Sequence, residues 1–182
     1  SQRLKILKEQ NINEILKDFF DETLISLNSV RADFQKSGDE QNYLTEVKSI
    51  TGNIISDIEL LKFAKLKENE FNKNLKNLYL DRKNARVKIL GEDQNSSLEK
   101  KIFLQIIDFS WRSHLQYLEQ LRQVIGLRQY GQKDPLSEFK KEAFVLFESL
   151  LLKIKNDLIK FLFNLNIVVS SEAPIEKKNN KT

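Results

Sequence analysis

The residues best suited to chemistry gather in one short stretch, Arg128-Gln129-Tyr130-Gly131-Gln132-Lys133-Asp134-Pro135, and the chemistry they suit is contact. A tyrosine presents apolar area and a hydroxyl at low conformational cost. Arg128 and Lys133 make its surroundings cationic, Asp134 offsets part of that charge, and Lys140 and Lys141 follow one turn later. Tyr130 has two readings: a ring folded back over the end of the element that carries it, or a ring that touches another molecule. Candidates for catalysis are poorer. His114 is the sole histidine and there is no cysteine, so neither a thiolate metal site nor a Cys nucleophile can form, and His114 has no second imidazole or thiolate with which to hold zinc. Its place between Trp111 and Leu118 on an apolar stripe reads as a helix-packing histidine, with Trp111 read as core. Carboxylate pairs such as Asp39/Glu40 lie among solvated charges. No G-x-x-x-x-G-K-[ST] loop is present to cradle phosphates, so no ATP site, no catalytic residue and no metal site is expected in this stretch of chain.

The elements that must position these residues are helices. Leu104, Ile107, Trp111, His114, Leu118, Leu121 and Ile125 recur at alternating spacings of three and four, as lengthwise packing on a neighbour requires. That pattern predicts a helix over about 97–128, opened by a Ser96-Ser97-Leu98-Glu99 capping box with Ser96 as N-cap. Arg128–Lys133 is the loop. Asp134 can cap the following helix, with Pro135 at its first position. Leu136, Phe139, Ala143, Leu146 and Leu150 begin the second stripe, and Phe147, Leu151, Ile154, Leu158, Phe161 and Leu165 carry it on. A loop so short makes the two helices antiparallel neighbours, each roughly 45–50 Å long at the helical rise.

Upstream, the spacing predicts a helix over 2–28, a short helix over about 40–50 between the turn signals Ser37-Gly38-Asp39 and Thr51-Gly52-Asn53, and a turn or short helix at 57–62. A long polar helix runs from about Ala64 to Leu90 and is broken at Gly91. The tail after Val169, with Pro174 and a Lys/Asn run, reads as disordered.

Composition agrees with an all-α fold. Charged residues make up 31% of the 182, hydrophobic residues 40%, with five Gly and two Pro, which favours long helices over sheets. No apolar run approaches the roughly 18–20 residues of a membrane-spanning helix, and no signal peptide is visible. The net charge of +4 is mild and its acids and bases alternate along the helices, which argues against nucleic acid as a partner. With no methionine, the chain reads as a piece of a longer protein.

The string Ile125-Gly126-Leu127-Arg128-Gln129-Tyr130-Gly131-Gln132-Lys133-Asp134-Pro135 resembles the I-x-L-R-x-Y-x-Q-K-D-P stretch of the SecA family of bacterial preprotein translocase ATPases. Trp111-Arg112-Ser113-His114-Leu115 is similar to that family's W-x-x-H-L, Leu121-Arg122-Gln123 to its L-R-Q, and Glu138-Phe139-Lys140-Lys141-Glu142-Ala143-Phe144 to its E-[YF]-K-x-E-[SA]-F. The matches hold in order and spacing over roughly 102–165. Residues 1–95 resemble the family in helical pattern and position only. Many members carry Gly before the loop tyrosine, where this chain has Gln129.

The resemblance implies a division of the chain: 1–28 as the end of a long helix of the helical scaffold, 29–95 as the helical wing domain, 96–169 as the two-helix finger of the scaffold, and 170–182 as a tail. It also implies a function. The finger of SecA enters the cytoplasmic mouth of the SecY channel, its loop tyrosine touches the moving polypeptide, and its first helix contacts and restrains the ATPase motor. By position that tyrosine is Tyr130, with Arg128, Gln132 and Lys133 beside it as preprotein-contacting residues and Trp111, His114, Asp134 and Pro135 as structural ones. The implied partners are the SecYEG translocon, unfolded preproteins, the other SecA domains and a second copy in a weak homodimer. ATP and magnesium belong to the full-length parent, and the implied location is cytoplasmic, peripheral at the inner membrane. The competing reading is a coiled-coil adaptor or scaffold without a substrate-contact role, which predicts a plain polar loop.

Overall fold

The computed structural model describes residues 12–127 and 134–169. Six helices follow one another: α1 (Ile12–Ser37), α2 (Glu40–Thr51), α3 (Asp57–Ala64), α4 (Glu68–Leu90), α5 (Glu92–Leu127) and α6 (Pro135–Asn164). No strand occurs among the described residues. The fold is all-α, a helical wing unit with a long antiparallel hairpin of α5 and α6.

Short polar residues and glycines set the helix ends. Asp39 accepts a hydrogen bond from the Asn42 N–H at 3.0 Å and so caps α2. Ser56 caps α3 through the Glu59 N–H. Gly38, Gly52 and Gly91 end α1, α2 and α4 with positive φ, a conformation that costs other L-residues strain. At Gly52 the reason is doubly visible, because a Cβ there would also collide with the Asn164 side chain. The Asn164 amide in turn donates to the carbonyls of Ile50 and Lys160 and ties the end of α2 to the end of α6.

One core joins the wing to the base of the hairpin. On α1, Ile12, Ile15, Leu16, Phe20, Leu24 and Leu27 face inward at helical spacing. They meet Phe71, Leu75 and Tyr79 of α4, Ile102 and Phe103 of α5, and Leu158, Leu162 and Phe163 of α6. Phe20 stacks on Tyr79 with centroids 4.4 Å apart, and Tyr79 lies 5.7 Å from Phe163. Helices α1 and α4 run antiparallel, as three contacts along them show: Asn28 with Asn72, the Phe20–Tyr79 stack, and Lys83 with Asn13.

Three expectations about element ends change. Ala64 closes α3 rather than opening the long polar helix, which starts only at Glu68 after a break at 65–67. The first helix does not stop near residue 28 but runs on to Ser37. Its inward stripe continues through Val30, Arg31 and Phe34. Arg31 is buried because its guanidinium lies over the Phe71 ring, 5.6 Å from the centroid, and donates to the Leu66 carbonyl at 2.7 Å. The Ser96–Glu99 capping box does not form either. Helix α5 begins at Glu92, directly after Gly91, so Ser96 is already inside it. Acidic Glu92 and Asp93 occupy the first turn, where they suit the positive end of the helix dipole, and Glu99 turns inward.

Candidate functional site

At the open end of the hairpin, α5 runs 36 residues and α6 runs 30, about 54 Å and about 45 Å at the helical rise. Ile125 is the last buried residue of α5, and Leu127 beyond it is exposed. On the returning strand of chain the Asp134 carboxylate accepts from the Leu136 N–H at 3.3 Å and from the Ser137 hydroxyl at 2.8 Å. Pro135 occupies the first helical position, where a missing N–H costs nothing. The Ser137 bond, then the Leu136 bond, hold the Asp134 carboxyl below its ordinary range. The sequence-derived contact residues Arg128, Tyr130, Gln132 and Lys133 lie outside the described residues. Their neighbours Leu127 and Asp134 fix where the connecting segment leaves α5 and enters α6.

Along the shaft, His114 is buried and sits between two rings, 5.5 Å from Trp111 on its own helix and 6.1 Å from Phe147 across the hairpin. Trp111 departs from its expected core position: it is 46% exposed, on the flank of the seam. The physical reason is size. An indole is too large for the seam to cover completely: it packs on His114 while much of the ring stays exposed. Leu115, one turn on, is exposed too, as are Phe144, Phe147 and Leu151 of α6. Trp111 and Phe147 both pack on the buried His114, and Phe109, Tyr117, Val145 and Leu152 are exposed on the same two helices as well. Exposed apolar surface of this extent normally meets another protein surface.

At the base of the hairpin lies a polar cluster that sequence reasoning missed. Arg86 of α4 is 1% exposed and Glu99 of α5 is 0% exposed. Arg86 Nη2 meets Glu99 Oε1 at 3.2 Å, Nε donates to Asn95 Oδ1 at 3.3 Å, and Nη1 donates to the Leu162 carbonyl of α6 at 2.9 Å. Asn95 Nδ2 completes the cluster with a bond to Glu99 Oε1 at 3.1 Å. Burial, and then the Glu99 charge, push the neighbouring Tyr79 hydroxyl well above its ordinary pKa, with Arg86 opposing. The available signal was spacing: Asn95 and Glu99 lie one turn apart on the face that Ile102 and Phe103 continue.

None of these arrangements pairs a nucleophile with a base. Among the described residues there is no group of three metal-ligating side chains and no helix long and apolar enough to cross a membrane. The geometry is that of a long helical hairpin with exposed apolar side chains along its shaft and a base fixed by buried polar bonds.

Comparison with known proteins places this geometry in a family. The family model described as the SecA wing and scaffold domain matches residues 1–166. The protein translocase subunit SecA of Pelagibacter ubique is 40% identical over 177 residues, which is 97% of this chain and 21% of that protein. The subunit of the same description from Campylobacter hominis is 34% identical over 165 residues, 89% of this chain and 18% of that protein. That of Caulobacter vibrioides is 32% identical over 178 residues, 95% and 19% respectively. The chain therefore spans about a fifth of the length of the curated relatives it matches.

Proposed function

Because the chain belongs to the SecA wing and scaffold family, we propose that it is the wing and two-helix finger of a protein-translocating ATPase, and that Tyr130 at the finger's tip contacts the preprotein. The observation that carries this is the antiparallel hairpin itself, whose last buried residue, Ile125, and capped restart at Asp134 bracket the segment with the family's loop pattern. On this reading residues 1–28 belong to the long scaffold helix, 29–95 to the wing, 96–169 to the finger and 170–182 to a tail, with α1 running unbroken across the first boundary to Ser37.

The tip suits a translocase because a translocase must grip unrelated sequences. A tyrosine packs on aliphatic or aromatic side chains and hydrogen-bonds to backbone without reading a sequence. Arg128, Gln132 and Lys133 add polar and cationic contacts around it. A stiff hairpin carries displacement from base to tip. The working site is the cytoplasmic entrance of the SecY channel of SecYEG, with the protein peripheral at the inner membrane. The exposed apolar side chains of the hairpin, Trp111, Leu115, Phe144, Phe147 and Leu151 among them, give the remaining domains of the parent a surface through which the ATPase motor and the finger couple. Exposed in isolation, it also favours weak self-association. ATP and magnesium act in the parent's motor domains, and this stretch contributes positioning and contact rather than catalysis.

The test is import of a preprotein into membrane vesicles by the full-length protein. Tyr130→Ala cripples import with the melting temperature unchanged, and Tyr130→Phe, which keeps the ring, is milder. Normal import by Tyr130→Ala removes the contact role. Lost import together with a large fall in melting temperature favours a ring folded back on the hairpin.

A further inference from the structure

Wing helix α4 and finger helix α5 are joined by a single residue, Gly91, with φ +81° and nothing within 4 Å of where a Cβ would stand. A glycine in open space is a joint that does not set its own angle. Arg86 lies five residues before it, and Asn95 and Glu99 lie four and eight residues after it. The guanidinium bridges this joint and also reaches the Leu162 carbonyl of α6. One buried side chain thus holds the wing and both helices of the finger.

We propose that Arg86 is a positioning residue that sets the angle at which the finger leaves the wing. The inference stands on the base of the hairpin and does not depend on what the tip touches. Stability alone does not account for such a group. Desolvating two charges offsets much of their attraction, and well-packed apolar side chains at a buried pair are often as stabilising or more so. What apolar contacts lack is direction. The guanidinium is a rigid planar fork whose donors point along fixed lines. Here those lines end on Asn95, Glu99 and the Leu162 carbonyl, so a change in the α4–α5 angle breaks bonds in a buried site, where each lost partner is costly. The surrounding core, by contrast, offers rings that tolerate small rotations.

The test separates direction from stability. Spin labels are placed on Glu46→Cys of α2 and Gln120→Cys of α5, both exposed, in the 182-residue chain, which has no other cysteine. Pulsed electron resonance then reads the width of the wing-to-finger distance distribution, and circular dichroism reads the melting temperature. Arg86→Met strands Glu99 and lowers the melting temperature. Arg86→Met with Glu99→Leu removes both charges and restores it, yet the distance distribution stays about twofold broader than in the parent, because the directional bonds are gone. Arg86→Lys keeps the charge but not the fork and broadens the distribution with the fold intact. A double variant that regains stability with a distribution as narrow as the parent's overturns the proposal. So does an Arg86→Lys variant that folds and stays narrow, whether or not the double variant folds.

Discussion

Replacing Phe20 by alanine tests the junction on which wing and finger depend. Phe20 is 3% exposed, stacks on Tyr79 at 4.4 Å with planes 19° apart, and lies 6.4 Å from Phe163. Its ring therefore touches α4 and α6 at once, and three helices would have to shift to refill its space. Loss of the ring combines transfer and cavity terms of about 3–5 kcal/mol. The pairing geometry with Tyr79 accounts for about 0.5–1.5 kcal/mol of that. For a chain of this size each kcal/mol moves the midpoint by about 2–4 °C, so the melting temperature falls by about 6–20 °C. Phe144→Ala is the control: the same atoms leave a residue that is 61% exposed, and the change stays near 0.5 kcal/mol. Thermal and urea unfolding followed by circular dichroism measure both. A Phe20→Ala shift no larger than that of Phe144→Ala would refute the reasoning that this aromatic cluster binds the wing to the finger.

Alkaline titration followed by tyrosinate absorbance gives a second prediction. Burial pushes the Tyr43 hydroxyl, which donates to the Leu60 carbonyl at 2.9 Å, up to about 12, and Tyr79 further. A folded pKa raised above the unfolded one means stability fully present below about pH 10 and lost as pH rises toward 12, so both rings ionise together with unfolding in that window. Ionisation of all four tyrosines near pH 10 with the helices intact would contradict it. Gly52→Ala is expected to destabilise by about 1–3 kcal/mol, from the positive φ and the collision with Asn164. Adding Asn164→Ala relieves the collision but not the backbone strain, so urea denaturation should show partial recovery, and a neutral Gly52→Ala would rule out the close approach of α2 and α6.

The hairpin was legible because its signals are local. The stripe from Leu104 to Ile125 keeps one period, and Asp134-Pro135 is a helix start whose cap forms as expected. Helix α2 was legible for the same reason, from Asp39 and Gly52 at its ends. What sequence reasoning missed depends on partners far along the chain. Arg31 interrupted the apolar stripe of α1 because an arginine reads as surface until Phe71 and Leu66, some forty residues on, receive it. Ser96–Glu99 satisfied the capping pattern, but Gly91 had already started the helix, and Glu99 was wanted by Arg86 across that glycine. Trp111 was legible as a seam residue, but periodicity along one helix does not report how much of so large a ring the seam covers. The reading of the tip rests on family resemblance, since composition supports both a folded-back and an outward Tyr130, and Tyr130 lies outside the described residues.

The central claim, that the finger's tip touches the moving polypeptide, is tested most directly by photo-crosslinking. A benzophenone amino acid replaces Tyr130 in the full-length protein, and a preprotein is stalled midway through the channel before illumination. The same replacement at Asn84, exposed on wing helix α4, serves as the reference position. The account predicts a preprotein adduct from position 130 and none from position 84. No adduct from position 130, or equal adducts from both, would contradict it.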